Sequence, residues 1–283
     1  MRYMEQKFEV EITAKKKLLD INIKELWRYR DLILLFVKRN FIAQYKQTIL
    51  GPAWAVIQPL MTTIIFTVLF GNIAGLAPSG VPSFAFYLCG SIAWTYFSGC
   101  LTATATTFTS NAAIMGKVYF PRLVMPISTV MSQLISFGIQ FAMFFVVWII
   151  YLLSGSNIYP NLYALMLPVM VIQLACLSLG FGIIISAMTT KYRDLVMLIS
   201  FGVQLWMYAT PVAYDISIIP EAYMGLYMLN PVTPIINMFR YGFLGVGTPC
   251  VAEYAISWIT TLVVLFVGVM LFNRVEKTFM DTV

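Results

Sequence analysis

The sequence of 283 residues contains no histidine, and charged side chains make up only 11% of it. Soluble domains carry about 25% charged residues. Histidine is the commonest acid/base group near neutral pH and the commonest metal ligand, so its absence argues against a hydrolytic or metal-centred enzyme. No CxxC spacing occurs, so neither a zinc site nor a disulfide framework is indicated by the four cysteines (Cys89, Cys100, Cys176 and Cys250). We predict no catalytic residue and no metal site.

A nucleotide-binding motif is also missing. The only Gly-Lys pair, Gly116-Lys117, is followed by Val118. In addition, Asn111 stands where the phosphate-binding motif GxxxxGK, followed by Ser or Thr, needs its first glycine. Any ATP that drives this protein must therefore be hydrolysed by another chain. We predict that the chain is not an enzyme and holds no cofactor itself.

Apolar residues are abundant instead, at 60% of the chain. They form stretches of about 20 residues without charge, the length that one helix needs to cross a hydrocarbon core of about 30 Å. The third stretch is longer than one crossing, so we expect it to tilt or to begin as an interfacial segment near Met125. The sequence therefore predicts an all-α integral membrane protein with six transmembrane helices, at residues 52–72, 84–108, 123–153, 162–188, 195–212 and 254–273.

Basic residues orient these spans, because cytoplasmic connections retain Lys and Arg during membrane insertion. Eleven of the 18 basic residues precede the first span, and Arg240 alone falls on the opposite side. We predict a multi-pass protein of the inner or cytoplasmic membrane with both termini in the cytoplasm. Residues 1–50 would form a cytoplasmic arm, and residues 51–283 a six-helix transmembrane domain. The remaining basic residues lie in connections on the cytoplasmic side (Lys117, Arg122, Lys191, Arg193, Arg274 and Lys277).

The arm has apolar residues at helical spacing, among them Leu26, Ile33 and Phe36, with basic residues between them. This pattern predicts an amphipathic helix within residues 18–47 that lies along the membrane surface. A passive anchor on anionic lipid and a docking element for a partner fit it equally well. The candidate residues of this interface helix are Trp27, Arg30, Asp31, Arg39 and Tyr45.

The connection after the second span reads NAAIMGKVYFPR, from Asn111 to Arg122. Three consecutive large apolar residues, Val118, Tyr119 and Phe120, lie between its two basic residues, Lys117 and Arg122. A short helix that sits in a pocket on a soluble partner would explain this arrangement. An ordinary loop on the positive side explains the charges but not the apolar run. The candidate residues for coupling to such a partner, which the family resemblance described below implies to be an ATPase, are Asn111, Lys117, Tyr119, Phe120 and Arg122.

Residues 212–253 are too apolar for a solvated loop and too often interrupted by proline for a span. We predict two short re-entrant helices there, with a simple interfacial cap as the alternative. The candidate residues of this outer region are Asn230, Pro231 and Arg240. Aromatic side chains inside the spans can stack on sugar rings along a conduit, although helix packing explains any single one of them. The channel candidates are Tyr87, Trp94, Tyr96, Trp206 and Tyr208.

Four segments, in this order, resemble the ABC-2-type polysaccharide export permeases, which serve O-antigen, teichoic acid and capsule export. They are RDLILLFVKRNFIAQYKQTILGPAWAVIQPL (30–60), KVYFPRLVMP (117–126), KYRDL (191–195) and LNPVTPIINMFRYGFLG (229–245). The resemblance implies a homodimer that carries a lipid-linked glycan, with membrane lipids around it and no nucleic-acid partner. It also implies that ATP and Mg²⁺ bind to a separate nucleotide-binding subunit, which would touch the arm helix and residues 111–122.

Two other interpretations stay open. An ABC-2 exporter of a small drug or lipid would share this architecture. A membrane-embedded glycosyl- or acyltransferase would need clustered polar catalytic groups at a membrane face, and KYRD at 191–194 is the one dense candidate cluster of this kind.

Overall fold

The computed structural model describes residues 23–46, 48–118, 120–189, 192 and 194–279. Regular structure within these ranges is entirely helical, which confirms the predicted all-α class. In chain order the helices are α1 (Ile23–Arg28), α2 (Arg30–Tyr45), α3 (Trp54–Phe66), α4 (Ser83–Ala105), α5 (Thr107–Met115), α6 (Val124–Leu153), α7 (Leu167–Thr189), α8 (Leu195–Tyr208), α9 (Glu221–Met228), α10 (Val232–Leu244) and α11 (Val251–Phe279).

Five of the described helical segments are long and apolar enough to span a bilayer: Gly51–Ile73, Ser83–Ala105, Val124–Leu153, Leu162–Thr189 and Val251–Arg274. The first of them is α3 with a 3₁₀ turn before it and a π-helical turn after it. The predicted fifth span is shorter than expected, because α8 ends at Tyr208. Pro211 lacks a backbone N–H and disfavours helical geometry in the residue before it, so the helix cannot continue to 212.

The connections between helices meet at two ends of the bundle. At one end, Arg39 of α2 bonds to Asn111 of α5, and the Thr189 hydroxyl donates to the carbonyl of Ala105. We call this the α2 end. At the opposite end the Asn161 side chain donates to the carbonyl of Tyr241. We call this the α10 end, and the chain passes between the two ends along each span.

Helix α4 is the centre of the bundle. In its most apolar stretch 78% of the residues are buried, against 22% in the spans Gly51–Ile73 and Val124–Leu153. Glycine allows the neighbouring helices to approach closely. A Cβ on Gly182 would lie 2.5 Å from Thr104 of α4, and one on Gly268 would lie 2.7 Å from the Gly180 oxygen, where α7 crosses α11.

Helix α6 is one continuous helix of 30 residues, about 45 Å long at 1.5 Å per residue. Pro126 does not break it, because this residue lies in the first turn, where a backbone N–H has no partner within the helix. The helix is longer than a hydrocarbon core of about 30 Å, so it tilts or extends beyond the core.

The arm forms two helices rather than one, since α1 and α2 are separated at Tyr29. Helix α2 buries Ile33, Phe36 and Val37 against the rest of the chain. Residues 18–22 and 47 of the predicted amphipathic helix lie outside the described residues.

Candidate functional site

The α2 end is built around an apolar cluster that joins five helices and the connection that contains Phe120. Helix α2 brings three side chains to it, and the rings of Phe108 on α5 and Phe272 on α11 stack there, 4.7 Å apart. Such a cluster excludes water and fixes α2 by shape rather than by charge. Its buried members are Ile33, Phe36, Val37, Phe108, Met115, Phe120, Val124, Met125, Ile183 and Phe272.

Two contacts connect the predicted interface helix to residues 111–122, which we call the coupling segment. The Arg39 guanidinium donates through Nη2 to Oδ1 of Asn111, with an N–O distance of 2.9 Å. The rings of Phe36 and Phe120 lie 5.8 Å apart, and Arg39 stacks on the Phe36 ring at 4.7 Å. Partial burial lowers the pKa of Arg39, which nevertheless stays protonated near neutral pH. The two regions, separate in the sequence, therefore form one surface.

The coupling segment has one face turned inward and one turned outward. Phe120 is 5% exposed and Arg122 is 9% exposed, whereas Lys117 and Val118 are exposed. Residues Asn111 to Met115 are the end of the short helix α5, and the described residues 116–118 and 120–123 are not helical, so only the first part of the segment is the short helix that we expected. The Phe120 ring packs inside the chain rather than projecting from it. Tyr119 lies outside the described residues.

The other candidates of the interface helix are spread along α1 and α2. Trp27 is 69% exposed, and the Arg30 guanidinium lies 5.9 Å from its ring. Arg30 also pairs with Asp31 at 3.8 Å, and exposed ion pairs of this kind contribute little to stability. At the far end of α2 the Tyr45 hydroxyl bonds to that of Ser136 on α6.

At the α10 end a buried arginine holds an unwound segment of backbone. Arg240 is 2% exposed and donates to the carbonyls of Pro211, Val212 and Tyr214, which follow the end of α8. The bond to Val212 is 2.7 Å long. Carbonyls outside a helix need such partners at membrane depth, where no water is available. The two predicted short helices are present as α9 and α10, and α10 is almost wholly buried.

Helix α4 provides the space for this arginine. The guanidinium carbon lies 3.7 Å from the centre of the Phe86 ring, and a Cβ on Gly90 would lie 2.5 Å from Nη2 of Arg240. Arg240 attracted attention in the sequence as the one basic residue on its side. Nothing in the sequence pointed to Gly90, whose role depends on a residue 150 positions away.

Asn230 links the α10 end to the end of α8. Its Oδ1 accepts from the indole N–H of Trp206 at 3.1 Å, and its Nδ2 donates to the hydroxyl of Thr210 at 2.8 Å. Pro231 follows, and its carbonyl accepts from the Ser257 hydroxyl of α11. These three predicted residues, Asn230, Pro231 and Trp206, therefore fix how α10 meets its neighbours.

The five channel candidates separate into two groups. Tyr87, Trp94 and Tyr96 are buried in the bundle, because α4 is surrounded by other helices, and within this chain they pack rather than line an open path. A uniformly apolar helix gives no pattern in the sequence that distinguishes a buried face from a lining face. Trp206 is partly buried against the rings of Trp94 and two phenylalanines, and Tyr208 is 49% exposed.

Comparisons with known proteins agree with this architecture. The chain is 27% identical over 252 residues to the O-antigen export system permease protein RfbA of Klebsiella pneumoniae, which covers 89% of this chain and 94% of that protein. It is 26% identical over 268 residues to the protein of the same name from Myxococcus xanthus, covering 92% and 98%. The family model for the ABC-2 type transporter matches residues 31–244, more than half of the sequence. The chain therefore belongs to the ABC-2 type transporter family of membrane proteins.

Proposed function

We propose that this chain is the membrane subunit of an ATP-driven exporter that moves a lipid-linked cell-surface polysaccharide across the inner or cytoplasmic membrane. Two copies would form the conduit, and each copy would bind one ATP-hydrolysing subunit, which also holds Mg²⁺. The relatives named O-antigen export permeases match about nine-tenths of the chain and support this class of substrate. Both termini would lie in the cytoplasm, with the α2 end facing the ATPase.

The contacts between α2 and the coupling segment are the observation that best supports this proposal. Movement of an ATPase against the exposed Lys117 and Val118 would pass through Phe120 and Asn111 to α2, because those residues contact Phe36 and Arg39. The segment also leads directly into α5 and α6, at Met115 and Val124. A push at this short segment would therefore shift the span α6 directly and the span α4 through α5, as a rigid-body coupling requires.

Helix α8 supports a conduit between two copies. Its 14 residues extend about 21 Å, less than the hydrocarbon core of about 30 Å, and Val203 is the one described residue of α8 that is buried. A short helix followed by unwound backbone is stable at membrane depth where it faces protein or a water-filled cavity rather than lipid. Exposed aromatic surface on Phe201 and Tyr208 would then offer stacking faces for sugar rings.

The test is charge reversal at Lys117. We expect Lys117→Glu to reduce glycan export by about tenfold, the factor that corresponds to about 1.4 kcal/mol of lost interaction. Export and ATP hydrolysis would be measured in vesicles containing the chain, its ATP-binding subunit and a lipid-linked glycan from the same cells. Lys117→Arg is the matched control and should export normally. Arg122 is excluded from the test, because it is buried and its reversal would disturb folding.

Two results would contradict the proposal. Normal export by Lys117→Glu would remove the coupling role of this segment. Failure of every lipid-linked glycan to stimulate hydrolysis, with stimulation by a small drug or a free lipid instead, would replace the polysaccharide as substrate.

A further inference from the structure

An apolar groove of about 620 Å³ lies on the outside of the bundle at the α2 end. Its volume is within the range of about 300–1000 Å³ that is usual for ligand sites. All the described residues that line it are apolar, and none of them belongs to residues 111–122 or to α8. Helices α1, α6, α7 and α11 and the turn before α6 contribute to it, through residues that include Leu26, Leu123, Ile127, Leu179, Val263 and Phe266.

The position of the groove along α11 matches one leaflet of a bilayer. Its lining residues on this helix extend from Val269 to Leu262, and Arg274 marks the end of the span. Leu262 is 12 residues from Arg274, which corresponds to about 18 Å along the helix. One leaflet of a hydrocarbon core of about 30 Å is about 15 Å deep. An acyl chain that enters from the α2 end would therefore lie along the whole groove.

Charge at the open end of the groove favours a negative headgroup. Leu26 of α1 lines the groove, and Lys24 lies two residues before it on the same helix. Arg274 lies five residues beyond Val269, the last groove-lining residue of α11, and both basic side chains are exposed. Each basic residue near a membrane surface attracts anionic lipid, and acidic residues are fewer here. The charged residues described on α1, on α2, in residues 111–122 and after α7 and the last span are Lys24, Arg28, Arg30, Lys38, Arg39, Lys117, Arg122 and Arg274 against Glu25, Asp31 and Asp194.

We infer that this groove binds one anionic phospholipid of the surrounding bilayer, with an acyl chain between α6, α7 and α11 and its phosphate beside Lys24 and Arg274. The bound lipid would fasten α1 to α11, two elements that share the groove through Leu26 and Phe266. The leaflet is the cytoplasmic one if the orientation proposed above is correct. The site itself depends neither on the exported substrate nor on ATP hydrolysis.

The experiment compares lipid retention by the full chain and two tryptophan variants. Each protein is reconstituted into vesicles of equimolar phosphatidylcholine and phosphatidylglycerol, extracted in mild detergent and weighed by native mass spectrometry. Val263→Trp fills the groove from an exposed position on α11. Ile256→Trp is the matched control, because Ile256 lies two turns away on the same helix, is equally exposed and does not line the groove.

The unaltered chain should retain phosphatidylglycerol in preference to phosphatidylcholine. Val263→Trp should reduce retention of both lipids by about tenfold, as expected from about 1.4 kcal/mol of lost binding, and Ile256→Trp should leave it unchanged. Lys24→Gln with Arg274→Gln should instead reduce only the preference for phosphatidylglycerol, by about fivefold for each charge. Lys46→Gln, at the other end of α2, is the control for this pair.

Three outcomes would overturn the inference. The first is equal retention by Val263→Trp and Ile256→Trp, and the second is no headgroup preference in the unaltered chain. The third is a change in the ratio of dimer to monomer in Val263→Trp without a change in bound lipid, which would show that a second copy covers the groove. None of these readings depends on export, so the proposed function is tested separately.

Discussion

The two ends of the bundle are held together by different forces. At the α10 end, side chains donate to main-chain carbonyls: Arg240 to three of them, Trp148 to that of Phe243 and Asn161 to that of Tyr241. At the α2 end, the elements meet mainly through apolar side chains. Arg39 with Asn111 adds one side-chain bond between α2 and α5, and the Thr189 hydroxyl donates to the carbonyl of Ala105.

This difference follows from the kind of structure at each end, which is unwound backbone at the α10 end and packed apolar side chains at the α2 end. Backbone that leaves a helix at membrane depth loses several kcal/mol for each unpaired group, so the α10 end requires directional bonds that hold one geometry. Apolar contacts have no preferred direction, so the cluster holds α2 by close packing rather than by a network of directional bonds. The α10 end therefore depends on directional hydrogen bonds, and the α2 end on the packing of apolar side chains.

Removing the arginine should have the largest effect. Arg240→Leu leaves the carbonyls of Pro211, Val212 and Tyr214 without their partner, and we expect a loss of several kcal/mol and little folded protein. Arg240→Lys keeps the charge but cannot reach three carbonyls at once, so it should be intermediate. Thermal unfolding in detergent measures both. If Arg240→Leu unfolds at the same temperature as the unaltered chain, these bonds do not stabilise the α10 end.

The second effect concerns the α2 end. Phe36→Ala removes a ring that is 5% exposed and contacts Phe120, which should cost α2 about 3 kcal/mol of local stability. Hydrogen exchange should increase in α2 while α4 and α10 remain protected. Leu35→Ala is the control, because the neighbouring Leu35 is 58% exposed. Equal loss of protection in α2 and α10 would mean that the two ends are not independent.

The third effect tests the space beside Arg240. Gly90→Ala places a methyl group 2.5 Å from the guanidinium, so the arginine must move, at a cost of about 2 kcal/mol. Gly138→Ala on α6 is the matched control, since nothing lies within 4 Å of its added carbon. The control should gain up to about 1 kcal/mol from higher helix propensity. If both variants unfold alike, Gly90 does not provide the space for Arg240.

Prediction from the sequence succeeded where one residue type or one run of residues carries the information. Apolar length identified the membrane helices, and the apolar but proline-interrupted residues 212–253 indicated the short helices α9 and α10. It failed where structure depends on distant residues. The end of α8 depends on Pro211, but the carbonyls that this end leaves unpaired are bonded by the distant Arg240. The local sequence pattern also gives no signal for the contact between Phe36 and Phe120, or for the burial of Tyr87.

The smallest effect concerns the one side-chain bond between α2 and α5. Asn111→Ala removes the acceptor of Arg39, and a hydrogen bond of this kind contributes about 1 kcal/mol. Hydrogen exchange in α2 should then rise about fivefold, with thermal unfolding of the bundle nearly unchanged, because the apolar cluster remains. Ser110→Ala is the control, as Ser110 is exposed beside it on α5. A collapse of the bundle in Asn111→Ala would show that the α2 end, like the α10 end, depends on its hydrogen bonds.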